Sequence, residues 1–371
     1  MGQDTSMTKH LIRPALLTAA GFLFAMPVWA QNRVTTPEEQ FGHEIGADYV
    51  LPNYEALHAY WIKLAGESDR MILDTIGYTE EGRPHLQAVI TSPENHARID
   101  RYREISRSMA KAEGVSEAQA RAMALEGKAT VWIDGGLHAT EVLGAQQLME
   151  LVYRLNDYTD AETMRILGKV IILATHANPD GHALVANWYM RQDDPMARST
   201  SGVPVLYNKY AGHDNNRDFF QANLVETQYW MELMYHRTYP QLYLDQHQMG
   251  SSGPRIFVPP YPDPMNPDVH PLQWQQLRFM GGGMVADLQA QGKQGVVTGS
   301  MYRIWGQEGA LTGRYHNIVA LLTETASSRI ASPDTVELAA LERGAAPGRG
   351  LGNYGFQMAF VDPWMGGEWR L

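Results

Sequence analysis

No cysteine occurs among the 371 residues. A disulfide framework is therefore excluded, and a bound metal would take its ligands from His, Asp or Glu rather than thiolates. Positive charge is scarce too: 30 Lys and Arg stand against 41 Asp and Glu, a net charge of −11. Such a balance gives no basic surface for a polyanion, so nucleic acid is not an expected partner. Apolar runs long enough to cross a bilayer are also missing. The run "ALLTAAGFLFAMPV" follows Lys9 and Arg13, is short, and leads through "VWA" to the polar "QNRVTTPEEQ". A basic start, a brief apolar stretch and a small residue at position 30 describe a secretory signal peptide over residues 1–30. The expectation is an exported protein, periplasmic or secreted, without integral membrane association once the leader is removed.

What the chain does contain is a succession of short apolar runs separated by helix-like segments. The runs are "MILDTI" at 71, "LQAVIT" at 86, "TVWID" at 130, "KVIILAT" at 169, "LYLDQ" at 242, "RIFVP" at 255 and "NIVALLT" at 317. Several lack polar alternation, as strands covered on both faces should. Between them, "TEVLGAQQLMELVYRL", "QANLVETQYWMELMYHRTY" and "PLQWQQLRFMGGGMVADLQA" carry helical patterning, the last weakened by Gly281–Gly283. This alternation predicts an α/β fold, a mixed and mostly parallel twisted sheet with helices on both faces. One domain is expected over 31–343, followed by a Gly- and Pro-rich segment over 344–371.

Polar clusters stand immediately after four of the runs: "GGLHATE" after "TVWID", "HANPDG" after "KVIILAT", "HQMG" after "LYLDQ" and "ETASS" after "NIVALLT". Ligands of open α/β sheets bind outside the carboxyl ends of the strands, so these clusters can converge on one rim. A catalytic zinc needs three protein ligands and an open position, and two His with one carboxylate is a known set. His138 and Glu141, three residues apart, supply a local pair. Alone, the pair is also explained by a surface imidazole and by an acid favouring the start of the following helix. His247, just past a strand, is the best-placed third ligand, while His176, also after a strand, and His213, in a polar loop, remain alternatives.

Taken in order, "GYTEEGRP" at 77–84, "GLHATE", "NPDG" at 178, "GHDNNRDF" at 212, His247 and Glu324 make the chain resemble the zinc carboxypeptidases of the carboxypeptidase A family. The resemblance implies one Zn²⁺ per chain, held by His138, Glu141 and His247, with Glu324 as the general base that deprotonates the attacking water. It aligns Arg191 with a carbonyl-polarising arginine, Asn216 and Arg217 with the pair that grips a substrate's terminal carboxylate, and Tyr302 with a substrate-capping tyrosine. Asp214 falls where an acid accepts a hydrogen bond from a ligand histidine, here His138. Gly309 falls where the side-chain-selecting residue stands, and offers no charge.

Two departures accompany the match. Thr140 replaces an arginine of the digestive members. After Glu324 the chain runs through Gly- and Pro-rich sequence to "PWMGGEWRL", where the family closes with a helix, so that segment is either remodelled or a shortened end of the domain. The implied activity is hydrolysis of the C-terminal bond of a peptide bearing a free carboxylate. A murein stem-peptide hydrolase or an N-acyl amino acid deacylase would use the same site. An inactive peptide-binding module would need a lost ligand or base, and none is lost in the sequence.

Overall fold

The computed structural model describes residues 33–204, 210–262, 265–299, 309–343 and 362–371. The leader over 1–30, Tyr302 and the Gly-rich stretch at 344–352 fall outside the described residues. All seven apolar runs form strands: β1 (Met71–Tyr78), β2 (Pro84–Ile90), β3 (Ala129–Gly135), β4 (Val170–His176), β5 (Leu242–Met249), β6 (Ile256–Phe257) and β8 (Val319–Ala326). A two-residue strand, β7 (Val296–Val297), completes an eight-stranded sheet of order β1-β2-β4-β3-β5-β8-β6-β7. The four central strands, β4, β3, β5 and β8, run parallel. β1 and β2 are antiparallel additions at one edge, and β6 lies antiparallel to β8. The sheet is the mixed, mostly parallel one expected.

Burial follows from this position. β4 is buried at six consecutive residues and β8 likewise over Val319–Glu324, the signature of strands with cover on both faces. Neighbouring residues of β4 feed different cores. Leu173 packs with Trp132, Trp230, Tyr243, Phe257 and Leu277, and Ile172 with Tyr54, Leu57, Trp61, Leu148 and Val152. Helices Tyr54–Glu67 and Val142–Asp157 cover the second face, and helices Val225–Glu232 and Pro271–Ala290 the first. In Val142–Asp157 the buried Val142, Ala145, Leu148, Met149, Val152 and Leu155 recur every three or four residues. A fully buried side chain of that size is worth about 1.5–3 kcal/mol, so this stripe holds the helix against the sheet.

The run 221–239, expected as one helix, divides into an α-helix to Glu232 and a π-helical turn, Leu233–Thr238. The wider turn buries both Met234 and Thr238, and Tyr239 ends it in the left-handed region at φ 47°. At the C-terminus, Trp364 and Trp369 both meet the Arg255 guanidinium, at 3.8 and 4.6 Å from their ring centres. Trp369 Nε1 donates to Ala326 O (2.8 Å), and β10 (Gly367–Trp369) pairs with β9 (Asp334–Val336). The end of the Gly- and Pro-rich segment is thus seated on the ends of β6 and β8.

The glycine triplet that weakened the helical pattern has one member that the packing requires. A Cβ on Gly281 would run into the Pro259 carbonyl, whereas Gly282 and Gly283 face open space. Alanine should therefore act with opposite signs along the triplet. Gly282→Ala and Gly283→Ala should each raise unfolding free energy by roughly 0.5–1 kcal/mol through helix propensity. Gly281→Ala should lower it by about 1–3 kcal/mol through overpacking. Urea unfolding of the three variants checks the reversal.

Candidate metal centre

The loop after β3 reaches the rim because the sequence removes what would block it. Gly135 and Gly144 pass so closely that a Cβ on Gly135 would clash with the Gly144 backbone, and one on Gly144 would crowd Gly135. The loop is then pinned at Leu137, whose carbonyl accepts from Asn178 Nδ2 (3.0 Å) and Asn215 Nδ2 (2.7 Å). These two asparagines belong to the "NPDG" and "DNNR" strings, so distant segments converge on the carbonyl preceding His138. Asp180 of "NPDG" also binds the early turn, accepting from Thr79 Oγ1 (2.7 Å), Glu81 N (3.0 Å) and Arg83 Nη1 (2.8 Å). Both strings are thereby structural ties as well as family marks.

Glu141 occupies the N-cap position of helix Val142–Asp157 without capping it. Its carboxylate turns away, and Oε1 lies 2.7 Å from His138 Nδ1 while Oε2 lies 2.8 Å from His247 Nδ1. The backbone N–H of Gln248 donates to Oε2 (2.9 Å), and the Gln248 side chain accepts from Leu143 N (2.8 Å). Gln248 thus takes over the capping that Glu141 gives up. The ligand atoms of His138, Glu141 and His247 lie within 4.8 Å of one another. His247 is brought here by β5, whose register sets it beside Glu324 on β8. Register partners project from the same side of a sheet, so the buried Glu324 carboxyl belongs to the same rim.

Each imidazole presents Nδ1 to the cluster and is held from behind at Nε2. His138 Nε2 lies 2.9 Å from Asp214 Oδ1. His247 Nε2 lies 3.1 Å from both Asp245 Oδ1 and Asn216 Nδ2. When Nδ1 offers its lone pair to a metal, Nε2 carries the hydrogen, and of those two groups only the carboxylate can accept it. Asp245 is therefore the group that faces Nε2–H in the metal-competent tautomer. Behind it, the Tyr243 O–H donates to Asp134 Oδ2 (2.5 Å), and burial, then the nearness of Asp245, pushes the Asp134 pKa well up. Asp134 thus favours its protonated form, beside the Asp245 side chain that faces His247.

Electrostatics prepare the cluster for a cation. Burial works against charge at His138, but Asp214 and Glu141 outweigh it and raise its pKa to about 9. Burial opposes charge on Glu141 as well, yet the two histidines bring its pKa down to about 2. Asp214, despite its burial, is likewise lowered to about 2 by His138. At His247 the burial penalty is overcome by Asp245 and Glu141, and its pKa rises well above the ordinary value. Three carboxylates around two imidazoles make a site that holds protons until a dication displaces them. Two imidazole nitrogens and one carboxylate, with no sulfur donor, fit zinc with a position left open.

A family model described as zinc carboxypeptidase matches residues 57–253, more than half of the chain. The chain belongs to the zinc carboxypeptidase family. Among solved structures it is similar to a metallo-carboxypeptidase from Burkholderia cenocepacia, at 17% identity and a TM-score of 0.51, over 75% of this chain and 61% of that one. It is also similar to thrombin activatable fibrinolysis inhibitor, at 14% identity and a TM-score of 0.52, over 76% of this chain and 70% of that one. At these identities the likeness concerns the fold, and the chain spans about three fifths of the bacterial relative's length. No curated protein matches the chain. The family uses zinc, and His138, Glu141 and His247 are the residues that would hold it.

The remaining site residues divide. Asn216 joins the cluster through His247, and its Oδ1 accepts from Gly309 N (2.5 Å). Arg217 follows it in a short 3₁₀ turn, with one hydrogen bond to Asn216 O (3.3 Å) and no ion pair among the described residues. Gly309 packs against the Phe219 ring, which a Cβ would strike, so glycine here answers to packing. Arg191 is not brought to the cluster. It ends helix Pro179–Met190, donates to Trp188 O and Ser199 O, and stacks on the Trp188 ring at 4.0 Å. The free carbonyls of a helix end and an indole face account for that position. The alternative ligands lie elsewhere: His176 is fully buried and stacked on His182 at 4.7 Å, and His213 Nε2 pairs with Asp218 Oδ1 (2.8 Å). Asp245, Asp134 and Gln248 were missed by the sequence reading, although Asp245 lies two residues before His247, on the same strand face.

Two outcomes follow for zinc. Asp245→Asn should weaken zinc binding about 10–100-fold by replacing the acid that faces His247 Nε2 with a neutral, weaker acceptor. Asp134→Asn should change it little, since an amide replaces an already neutral acid. The histidine pKa values also set a pH dependence, because zinc must displace protons held at both Nδ1 atoms. Apparent affinity should therefore rise with pH from 6 up to about 9, by about ten- to a hundredfold per unit. Competition titrations against a chelator of known affinity measure both effects.

Proposed function

We propose that this chain is a zinc-dependent carboxypeptidase, removing the C-terminal residue of peptides that carry a free carboxylate. The observation that carries the reading is the adjacency of the His138–Glu141–His247 cluster to the Asn216–Arg217 turn. That turn offers a planar fork of donors with no ion-pair partner among the described residues. In this reading Arg217 and Asn216 hold the terminal carboxylate, and the bond to be cut falls at the cluster. Zinc, when bound, supplies Lewis acidity and lowers the pKa of a water towards neutrality. Glu324, buried beside His247, accepts the water's proton and returns it to the departing amine. Asp214 and Asp245 keep the two imidazoles in the tautomer the metal needs. The leader pattern over residues 1–30 supports export, to the periplasm or beyond the cell.

Two measurements test this assignment. A C-terminally amidated peptide should be cut at least about a hundredfold more slowly than its free acid, since charge-assisted hydrogen bonds to a guanidinium fork are lost. Arg217→Ala should flatten that difference, mostly by slowing the free acid, with zinc content unchanged. Equal cleavage of acid and amide by the unmutated protein would refute the assignment. Glu324→Gln should keep fold and zinc but lower kcat by several orders of magnitude. Near-normal turnover in that variant would mean that another group is the base.

A further inference from the structure

A cleft of about 540 Å³ opens beside the metal residues, with Thr140, Arg198, Thr200, Ser327 and Arg329 among its walls. Thr140 immediately precedes the ligand Glu141. Ser327 lies three residues beyond Glu324, with its N–H bonded to Met249 O (2.8 Å), two residues past His247. The cleft is therefore built on the same strand ends and loop as the cluster. The residues assigned to the terminal carboxylate, Asn216 and Arg217, do not line it, and neither does Gly309.

Its chemistry is one-sided. No Asp or Glu lines it, in a chain with a net charge of −11. The Arg329 charge is answered by Asp334 (2.9 Å). That of Arg198 is not, because its hydrogen bonds go to two neutral carbonyls, Gln192 O (3.0 Å) and Tyr49 O (2.7 Å). These bonds orient the guanidinium without neutralising it. Arg191 donates to the carbonyl of Ser199, another residue of the wall. The hydroxyls of Thr140, Thr200 and Ser327 have no hydrogen-bond partner among the described residues and can donate to a ligand. Fixed positive charge, donor hydroxyls and no competing carboxylate suit a carboxylate group and disfavour a cation.

We propose that this cleft receives the part of a peptide that precedes the cleaved bond, and that Arg198 selects substrates with an acidic side chain there. The proposal rests on the carboxypeptidase reading. It adds a substrate class, acidic peptides, and a specificity-determining residue outside the catalytic cluster. The carboxylate grip reaches the cluster through Asp214 and Asn216, behind the histidines. The cleft reaches it through Thr140, beside Glu141. In this proposal a peptide anchored at the first extends past the cluster into the second.

The test uses the zinc-loaded protein and matched peptides with the same C-terminal residue, carrying Glu or Gln at each of the three positions before the cleavable bond. At one position the unmutated enzyme should show kcat/KM about five- to tenfold higher for Glu, through KM, with the preference shrinking as salt is added. Arg198→Gln should bring the ratio to within about twofold by raising KM for the Glu peptide. The Gln peptide should be cut as before, and Arg198→Lys should restore part of the preference. Arg198→Gln also loses the tie to Tyr49, so Thr200→Glu provides a second variant that leaves this tie intact. Its added negative charge should turn the preference towards Gln. Equal cleavage of all matched pairs by the unmutated enzyme overturns the acidic subsite and leaves the carboxypeptidase reading standing. If no peptide is cut, that reading fails instead, and equilibrium binding of the same peptides decides the cleft. Tighter binding of the Glu peptide, lost in Arg198→Gln, sustains it; equal binding overturns it.

Discussion

The site depends on one carboxylate shared between two imidazoles. Glu141 meets His138 through one oxygen and His247 through the other, and the two histidines lie over a hundred residues apart. Bringing charged and polar groups together away from water costs several kcal/mol per ion unless geometry and hydrogen bonds are satisfied. Much of the surrounding architecture meets that condition. Parallel β3 and β5 deliver both segments to the same edge of the sheet. The Leu137 carbonyl is bonded twice, the Gly135–Gly144 contact lets the helix begin close against the strand, and Gln248 caps the helix that Glu141 leaves uncapped.

The carboxylates around the cluster are graded by environment rather than by residue type. Glu141 and Asp214 stay ionised because protonated imidazoles face them, while Asp134 keeps its proton because it is buried beside another carboxyl. Two adjacent buried acids need not both carry charge. The alternation of β5 makes this possible, because Tyr243, Asp245 and His247 project from one face. One strand therefore carries the ligand, its acid and the phenol that holds the neutral acid in place.

Most of the sheet and the metal triad were legible in the sequence, and the reasons for the misses are local. The central strands announce themselves because burial on both faces demands unbroken apolar runs. β7, β9 and β10 have only two or three residues each and leave no such pattern. His247 and His176 both stand towards the ends of apolar runs, so the sequence favoured His247 but left His176 open as an alternative. The difference is tertiary, since His176 is covered by His182 and Tyr54 while His247 faces Glu141. Asp245 looked like a strand residue before the histidine, and only its buried position shows that it has a partner to hold. Arg191 matched by approximate spacing, but a helix end and a tryptophan claim its guanidinium.

Arg191 and Arg198 together sharpen what the region beyond Thr140 is for. Both arginines donate to backbone carbonyls, and neither forms an ion pair among the described residues. Arginines used only to fasten loops could be paired with the acids in which this chain abounds, and Arg83 is held that way by Glu55, Glu81 and Asp180. Carbonyl-only fastening fixes direction while leaving charge available. It resembles the state of Arg217, whose single hydrogen bond also goes to a carbonyl. Arg217, beside Asn216, and Arg198, in the cleft that Thr140 lines, are thus both oriented by carbonyls rather than by ion pairs among the described residues. If the proposed acidic subsite holds, an anionic peptide would meet a guanidinium both at its carboxyl end and in the cleft.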